Sequence, residues 1–159
     1  MAFPQAIKQY TAEEYLALER ASTEKHEYYR GEIFAISGAS LAHNRIQMNF
    51  IGETRAFLRG KGRDVFGSDL RVHIPVNGLY TYPDAVIVCG EPELHDKELD
   101  TLLNPAVIVE VLSRSTQSYD RGDKFNLYRV IPHCRNTSWL LLNLWVWSTT
   151  QSRKTTPGY

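Results

Sequence analysis

Asp84 and Glu110 are the residues whose type and setting could do chemistry. Each sits in or beside an apolar, β-branched stretch: Tyr82-Pro-Asp-Ala-Val-Ile-Val-Cys89 and Pro105-Ala-Val-Ile-Val-Glu-Val-Leu112. Such runs read as strands buried on both faces. An ionised carboxylate in such a strand is costly unless it is paired or holds a metal. Two of them on neighbouring strands point to a divalent-cation site.

Other elements must hold these strands in place. Thr11 to Arg20 reads as a short helix, with Thr11 as N-cap, Glu14 completing a capping box, and Tyr15, Leu16 and Leu18 as apolar contacts. Glu27-Tyr28-Tyr29 and Glu32 to Ile36 read as two strands around Arg30-Gly31. Ser40 to Arg59 is the longest helical pattern, its apolar face drawn from Ile46, Phe50, Ile51, Phe57 and Leu58. Asp64 to Pro75 alternates as a strand, and Asn77-Gly78 turns the chain into the next. Residues 90–104 read as loop. A helix follows from about Asp120 to Val130, stopped by Pro132. The order predicts a mixed α/β or α+β domain with an N-terminal helix and β-hairpin.

Composition sets the bounds. At 159 residues the chain suits one core. No apolar run reaches transmembrane length and no signal-peptide profile opens the chain, so a cytoplasmic location is the default expectation, with no membrane partner. Cys89 and Cys134 form no metal-ligand spacing or disulfide framework, and Cys89 reads as a core thiol. The zero net charge hides an asymmetry: all 18 acidic residues precede position 133, and all three tryptophans follow it. No global basic field advertises nucleic-acid binding.

Five ordered segments carry a resemblance: Lys25-His-Glu-Tyr-Tyr-Arg-Gly-Glu-Ile-Phe-Ala-Ile-Ser-Gly-Ala-Ser40, Ala42-His-Asn-Arg-Ile46, Tyr80-Thr-Tyr-Pro-Asp84, Ile108-Val-Glu-Val-Leu-Ser113 and Ser118-Tyr-Asp-Arg-Gly-Asp-Lys124. Together they resemble the Uma2 family of restriction-endonuclease-like proteins, an offshoot of the PD-(D/E)xK nuclease superfamily. The resemblance covers about residues 8–132. It implies a restriction-endonuclease-like core, a central mixed sheet flanked by helices, and Mg²⁺-dependent hydrolysis of DNA phosphodiesters, with Mn²⁺ as a substitute. Asp84 and Glu110 match the metal-binding acids, with the Val111 carbonyl as a further ligand. Leu112 stands where a lysine would usually follow the second acid, and Lys124 on the next helix matches the displaced lysine. Glu27 matches an early auxiliary acid that is often a metal ligand, and His43 and Asp120 match recurrent polar positions. The family also implies a homodimer.

Plainer readings stand beside these. Pro83-Asp84 alone reads as a turn entering a strand. Glu110 reads also as a structural salt bridge to Arg121 or Lys124, and Asp120 with Lys124 as a surface i,i+4 pair. The alternative function is a catalytically silent nucleic-acid-binding or scaffold protein that keeps the nuclease fold.

The pattern breaks after Arg129-Val-Ile-Pro132. It divides the chain into a nuclease-like domain over 1–132 and an atypical tail over 133–159, which replaces the expected final core strands. Reading the codons of His133 to Trp139 two bases later allows Leu-Gln-Glu-Tyr-Leu-Leu, a family-like continuation, so the tail reads as frameshifted. Leu140 to Trp147 is apolar enough to substitute as a strand.

Overall fold

The computed structural model describes residues 8–111, 124–131 and the backbone of 142–143. It contains α1 (Ala12–Ala21), β1 (His26–Tyr29), β2 (Glu32–Ala35), α2 (Leu41–Leu58), β3 (Arg63–Gly67), β4 (Arg71–Ile74), β5 (Leu79–Thr81), β6 (Ala85–Cys89), β7 (Thr101–Leu102), β8 (Val107–Glu110), a short α3 (Phe125–Tyr128) and β9 (Leu142–Asn143). The fold is mixed α/β, as the sequence predicts. The strands form two mixed sheets, ordered β2-β1-β5-β4-β7 and β3-β6-β8-β9. Each is antiparallel apart from one parallel pair, β4 with β7 and β8 with β9.

Period-two alternation explains how the sheets stack. Val72 and Ile74 of β4, Leu79 of β5, Val86 and Val88 of β6, Leu102 of β7 and Ile108 of β8 form one buried cluster with Tyr128 and Ile131. That cluster is the layer between the sheets. The opposite residues of β6 and β8, Ala85, Val107 and Val109, pack with Val65 against Phe50 and Ile51 of α2. On the far face of the five-stranded sheet, Tyr28 and Tyr80 receive Tyr15 and Leu16 of α1. The layers therefore run α1, five-stranded sheet, four-stranded sheet, α2. Each buried aliphatic side chain in them contributes about 1.5–3 kcal/mol.

Local signals place several boundaries. The Thr11 hydroxyl accepts from the Glu14 N–H and the Glu14 carboxylate accepts from the Thr11 N–H, the full capping box. Ser40 caps α2 by accepting from the His43 N–H. Gly78, at φ +75°, closes the β4–β5 hairpin after Asn77.

Four expectations need correction. The alternating stretch from Asp64 to Pro75 is two strands in different sheets, parted by a turn in which the Leu70 N–H donates to Gly67 O. The segment 90–104 contains β7, paired parallel to β4. Leu18 and Phe57 lie outside the core, at 50% and 69% exposure, and the Phe57 ring carries the Lys61 ammonium instead. Cys89 is half-buried, not a core thiol. Of the tail, Leu142–Asn143 pairs with Val109–Glu110 of β8, within the apolar stretch expected to act as a strand.

Candidate active site

β6 and β8 are antiparallel, with Ala85 opposite Val109 and Val86 opposite Ile108. Continuing that register by one step sets Asp84 opposite Glu110, where β6 begins and β8 ends. Alternation sends Glu110 to the same side as Ile108, into the layer between the sheets. Across that layer, Glu27 of β1 and Thr81 of β5 point inward from the five-stranded sheet, because their neighbours Tyr28 and Tyr80 face α1. Two strand ends and one sheet face thus converge by strand periodicity.

The contacts are short. Lys124 Nζ, on the residue before α3, lies 2.9 Å from Glu27 Oε1 and 3.1 Å from Glu110 Oε1. The Tyr128 hydroxyl donates to Glu110 Oε1 at 2.6 Å, and the Thr81 hydroxyl donates to Glu27 Oε1. The two hydroxyl oxygens are 3.3 Å apart. Asp84 is held from another direction. Its Oδ1 lies 2.7 Å from His43 Nε2, its Oδ2 accepts the Val111 N–H at 2.6 Å, and its carbonyl accepts from Gln47 Nε2 at 2.7 Å. His43 occupies the first turn of α2 and Gln47 the next, so one helix face grips Asp84 twice.

Sequence reasoning thus named Glu27, His43, Asp84, Glu110 and Lys124, and the structure brings them to one end of the sheets. Lys124 is only 8% exposed, which removes the reading of a solvated surface pair. The salt-bridge reading of Glu110 describes its contact with Lys124. Asp120, Arg121 and Leu112 lie outside the described residues. Thr81, Gln47 and Tyr128 were missed. The i,i+4 spacing of His43 with Gln47 and of Lys124 with Tyr128 was the available signal.

Electrostatics mark the place as unusual. Burial pushes the Glu110 carboxyl up, with Asp84 adding repulsion, while Lys124 and Tyr128 oppose the shift. Burial works against charge on Lys124, but Tyr128, Glu110 and Glu27 outweigh it and hold its ammonium protonated. Burial also raises the Tyr128 phenol far above its ordinary range, so it stays a donor. The site opens on a groove of about 1270 Å³ lined by Lys25, Phe34, Ile36 and the site residues. Among its described lining residues, Glu24, Glu27, Asp84 and Glu110 face only two lysines, Lys25 and Lys124. A groove so negative repels a phosphodiester unless a cation joins it.

The donor set suits a hard divalent cation. Carboxylate and carbonyl oxygens are what Mg²⁺ takes, and it keeps several waters, so one or two protein carboxylates suffice. Among the described residues no group of three His, Cys, Asp or Glu side chains forms a complete cage. Two carboxylates facing each other with spare lone pairs fit an ion that shares its shell with water and substrate.

Layered α/β architecture and a buried carboxylate–lysine cluster at the sheet ends together define a restriction-endonuclease-like protein. The sequence profile of Uma2, described as "Putative restriction endonuclease", matches residues 12–139, and the chain belongs to that family. Two uncharacterized proteins of Synechocystis sp. are similar: sll1609, 39% identical over 122 residues (77% of this chain, 69% of that protein), and slr1290, 39% identical over 116 residues (73% and 60%). The crystal structure of a putative nuclease belonging to DUF820 from Anabaena variabilis shares the fold. It superposes with a TM-score of 0.59 at 22% identity, covering 75% of this chain and 66% of that one. The chain therefore spans about two thirds of the length of the relatives it matches. No described helix is long and apolar enough to cross a membrane.

Proposed function

We propose that the chain is a metal-dependent endonuclease that hydrolyses DNA phosphodiester bonds. The observation that carries this reading is the opposition of Asp84 and Glu110 across β6 and β8, with a buried lysine on one and a cation deficit overall. Asp84, Glu110 and the Val111 carbonyl would hold Mg²⁺ or Mn²⁺. When bound, such an ion lowers the pKa of water and screens phosphoryl charge. Lys124 supplies fixed positive charge near the developing negative charge and a proton donor toward the groove. Glu27 keeps that ammonium in place through its 2.9 Å contact. His43 orients Asp84 from the first turn of α2. The family resemblance supports two copies acting together, one per DNA strand.

The test is nicking of supercoiled plasmid by purified protein with Mg²⁺ or Mn²⁺, with EDTA and the Asp84→Ala/Glu110→Ala double variant as controls. Metal-dependent nicking that is lost in the variant is the expected result. Well-folded protein that binds DNA yet never cuts it would favour a silent binding protein.

A further inference from the structure

Tyr128 contacts the site but belongs to none of the motifs that led to it. It is 2% exposed, among the largest fully buried side chains, and it is anchored in the inter-sheet core beside Ile131 and Ile108. Core packing alone would be served by phenylalanine. Its hydroxyl instead donates to Glu110 Oε1 at 2.6 Å. A buried phenol that finds a carboxylate satisfies its own proton, so the contact needs a further reason to be functional.

Proton counting supplies that reason. Glu110 Oε1, the Tyr128 hydroxyl, Thr81 Oγ1, Glu27 Oε1 and Lys124 Nζ form a closed circuit. Tyr128 has one proton and gives it to Glu110, and Thr81 has one and gives it to Glu27. The 3.3 Å approach between their oxygens therefore has no proton left to share. Lys124 uses one N–H on each carboxylate, keeping a third. The two hydroxyls and two N–H groups of Lys124 are thus aimed at carboxylates, and both donors on Glu110 reach the same oxygen, Oε1. Oε2 is the oxygen left outside the circuit.

Resting on the reading of Glu110 as a metal ligand, we propose that Tyr128 is a positioning residue for that ligand: by holding Oε1 inside the buried circuit, its hydroxyl presents Oε2 to the cation. Partners of this kind change metal affinity about 10–100-fold when removed. Thr81 is the matched comparison, since its hydroxyl belongs to the same circuit but bonds Glu27.

The experiment titrates Mn²⁺ into the full chain, followed by electron paramagnetic resonance of the free ion, so that no turnover is needed. Wild type, Tyr128→Phe, Thr81→Ala and Glu110→Gln are compared at low temperature, below the melting midpoint of each. The expected result is affinity weakened about tenfold or more in Tyr128→Phe, with Thr81→Ala near wild type. Tyr128→Phe at wild-type affinity would overturn the positioning role while leaving the metal site standing. Equal losses in Tyr128→Phe and Thr81→Ala would overturn it too, since the hydroxyls would then serve only the circuit's structure. Binding by wild type that Glu110→Gln does not weaken would sink the ligand assignment itself, and the proposal with it.

Discussion

Two groups of charged side chains lie on opposite faces of the five-stranded sheet. On the inner face, Glu27 and Glu110 share one lysine, Lys124, and Asp84 stands opposite Glu110 paired with His43. On the α1 face, Asp96 and Asp100 share two arginines, with Glu19 close by through Tyr82. Arg20 binds Asp96 at 2.8 Å and Asp100 at 2.8 Å. Arg71 donates to Thr101 Oγ1 and the Tyr82 hydroxyl, while its Nη2 sits 2.8 Å from Asp100 Oδ1 as an ion pair outside hydrogen-bond geometry. The Tyr82 hydroxyl donates to Glu19, which also binds His26. Histidines enter both groups: His43 meets Asp84 on the inner face, and His26 meets Glu19 and His95 meets Asp96 on the α1 face. They differ in charge balance: the α1 group sets three carboxylates against two arginines, whereas the inner group sets three against one lysine and opens on a groove. Charge that is matched holds a structure together, and buried charge left unmatched is a place prepared for a ligand.

That contrast can be broken experimentally. The largest expected effect is on cleavage: Asp84→Asn or Lys124→Met lowers kcat about 10²–10³-fold or more, measured on plasmid in Mg²⁺. Arg71→Met should leave Mn²⁺ affinity intact yet cost about 1–3 kcal/mol in urea unfolding, because Thr101 and Tyr82 lose a buried donor while Asp100 keeps Arg20. Glu110→Gln should do the reverse, raising stability by about 0.5–2 kcal/mol in metal-free buffer, as its Oε1 keeps both donors while repulsion with Asp84 is relieved. If Glu110→Gln destabilises as Arg71→Met does, the two groups are alike and the contrast fails.

Acid sharpens the comparison further. The hydrogen bond from Arg20 holds the Asp100 carboxyl well below its usual range, against a smaller opposing effect of burial. Its stabilisation is therefore complete above the unfolded value of about 3.9 and is lost as pH falls toward the lower folded value. Asp100→Asn should flatten that acid limb of the melting curve. The smallest effect serves as a baseline: Thr11→Ala removes the α1 cap, costs about 1 kcal/mol, and leaves metal binding and cleavage untouched.

The sequence made the α1 and α2 starts legible because Thr11, Glu14 and Ser40 act on backbone groups within the next turn. Glu110 stood out because an acid in a Val/Ile run has few bland explanations. The division at Ser68-Asp69 did not stand out, since alternation continues through Leu70, Val72 and Ile74 while the chain changes sheets. Thr101–Leu102 becomes a strand by pairing with residues thirty positions earlier, a long-range contact with no local signature. Tyr128 and Thr81 were hidden for the same reason. Each looks like an ordinary core or strand residue until the two sheets stack and their hydroxyls meet carboxylates from different strands.

The central claim, that the charge deficit on the inner face is a cation site, is tested most directly by Mn²⁺-soaked crystals and anomalous diffraction at the manganese edge. The account predicts a peak between Asp84 and Glu110 that disappears in Glu110→Gln. A peak at Asp96 and Asp100 instead, or none at saturating Mn²⁺ in crystals whose groove is open, would contradict it.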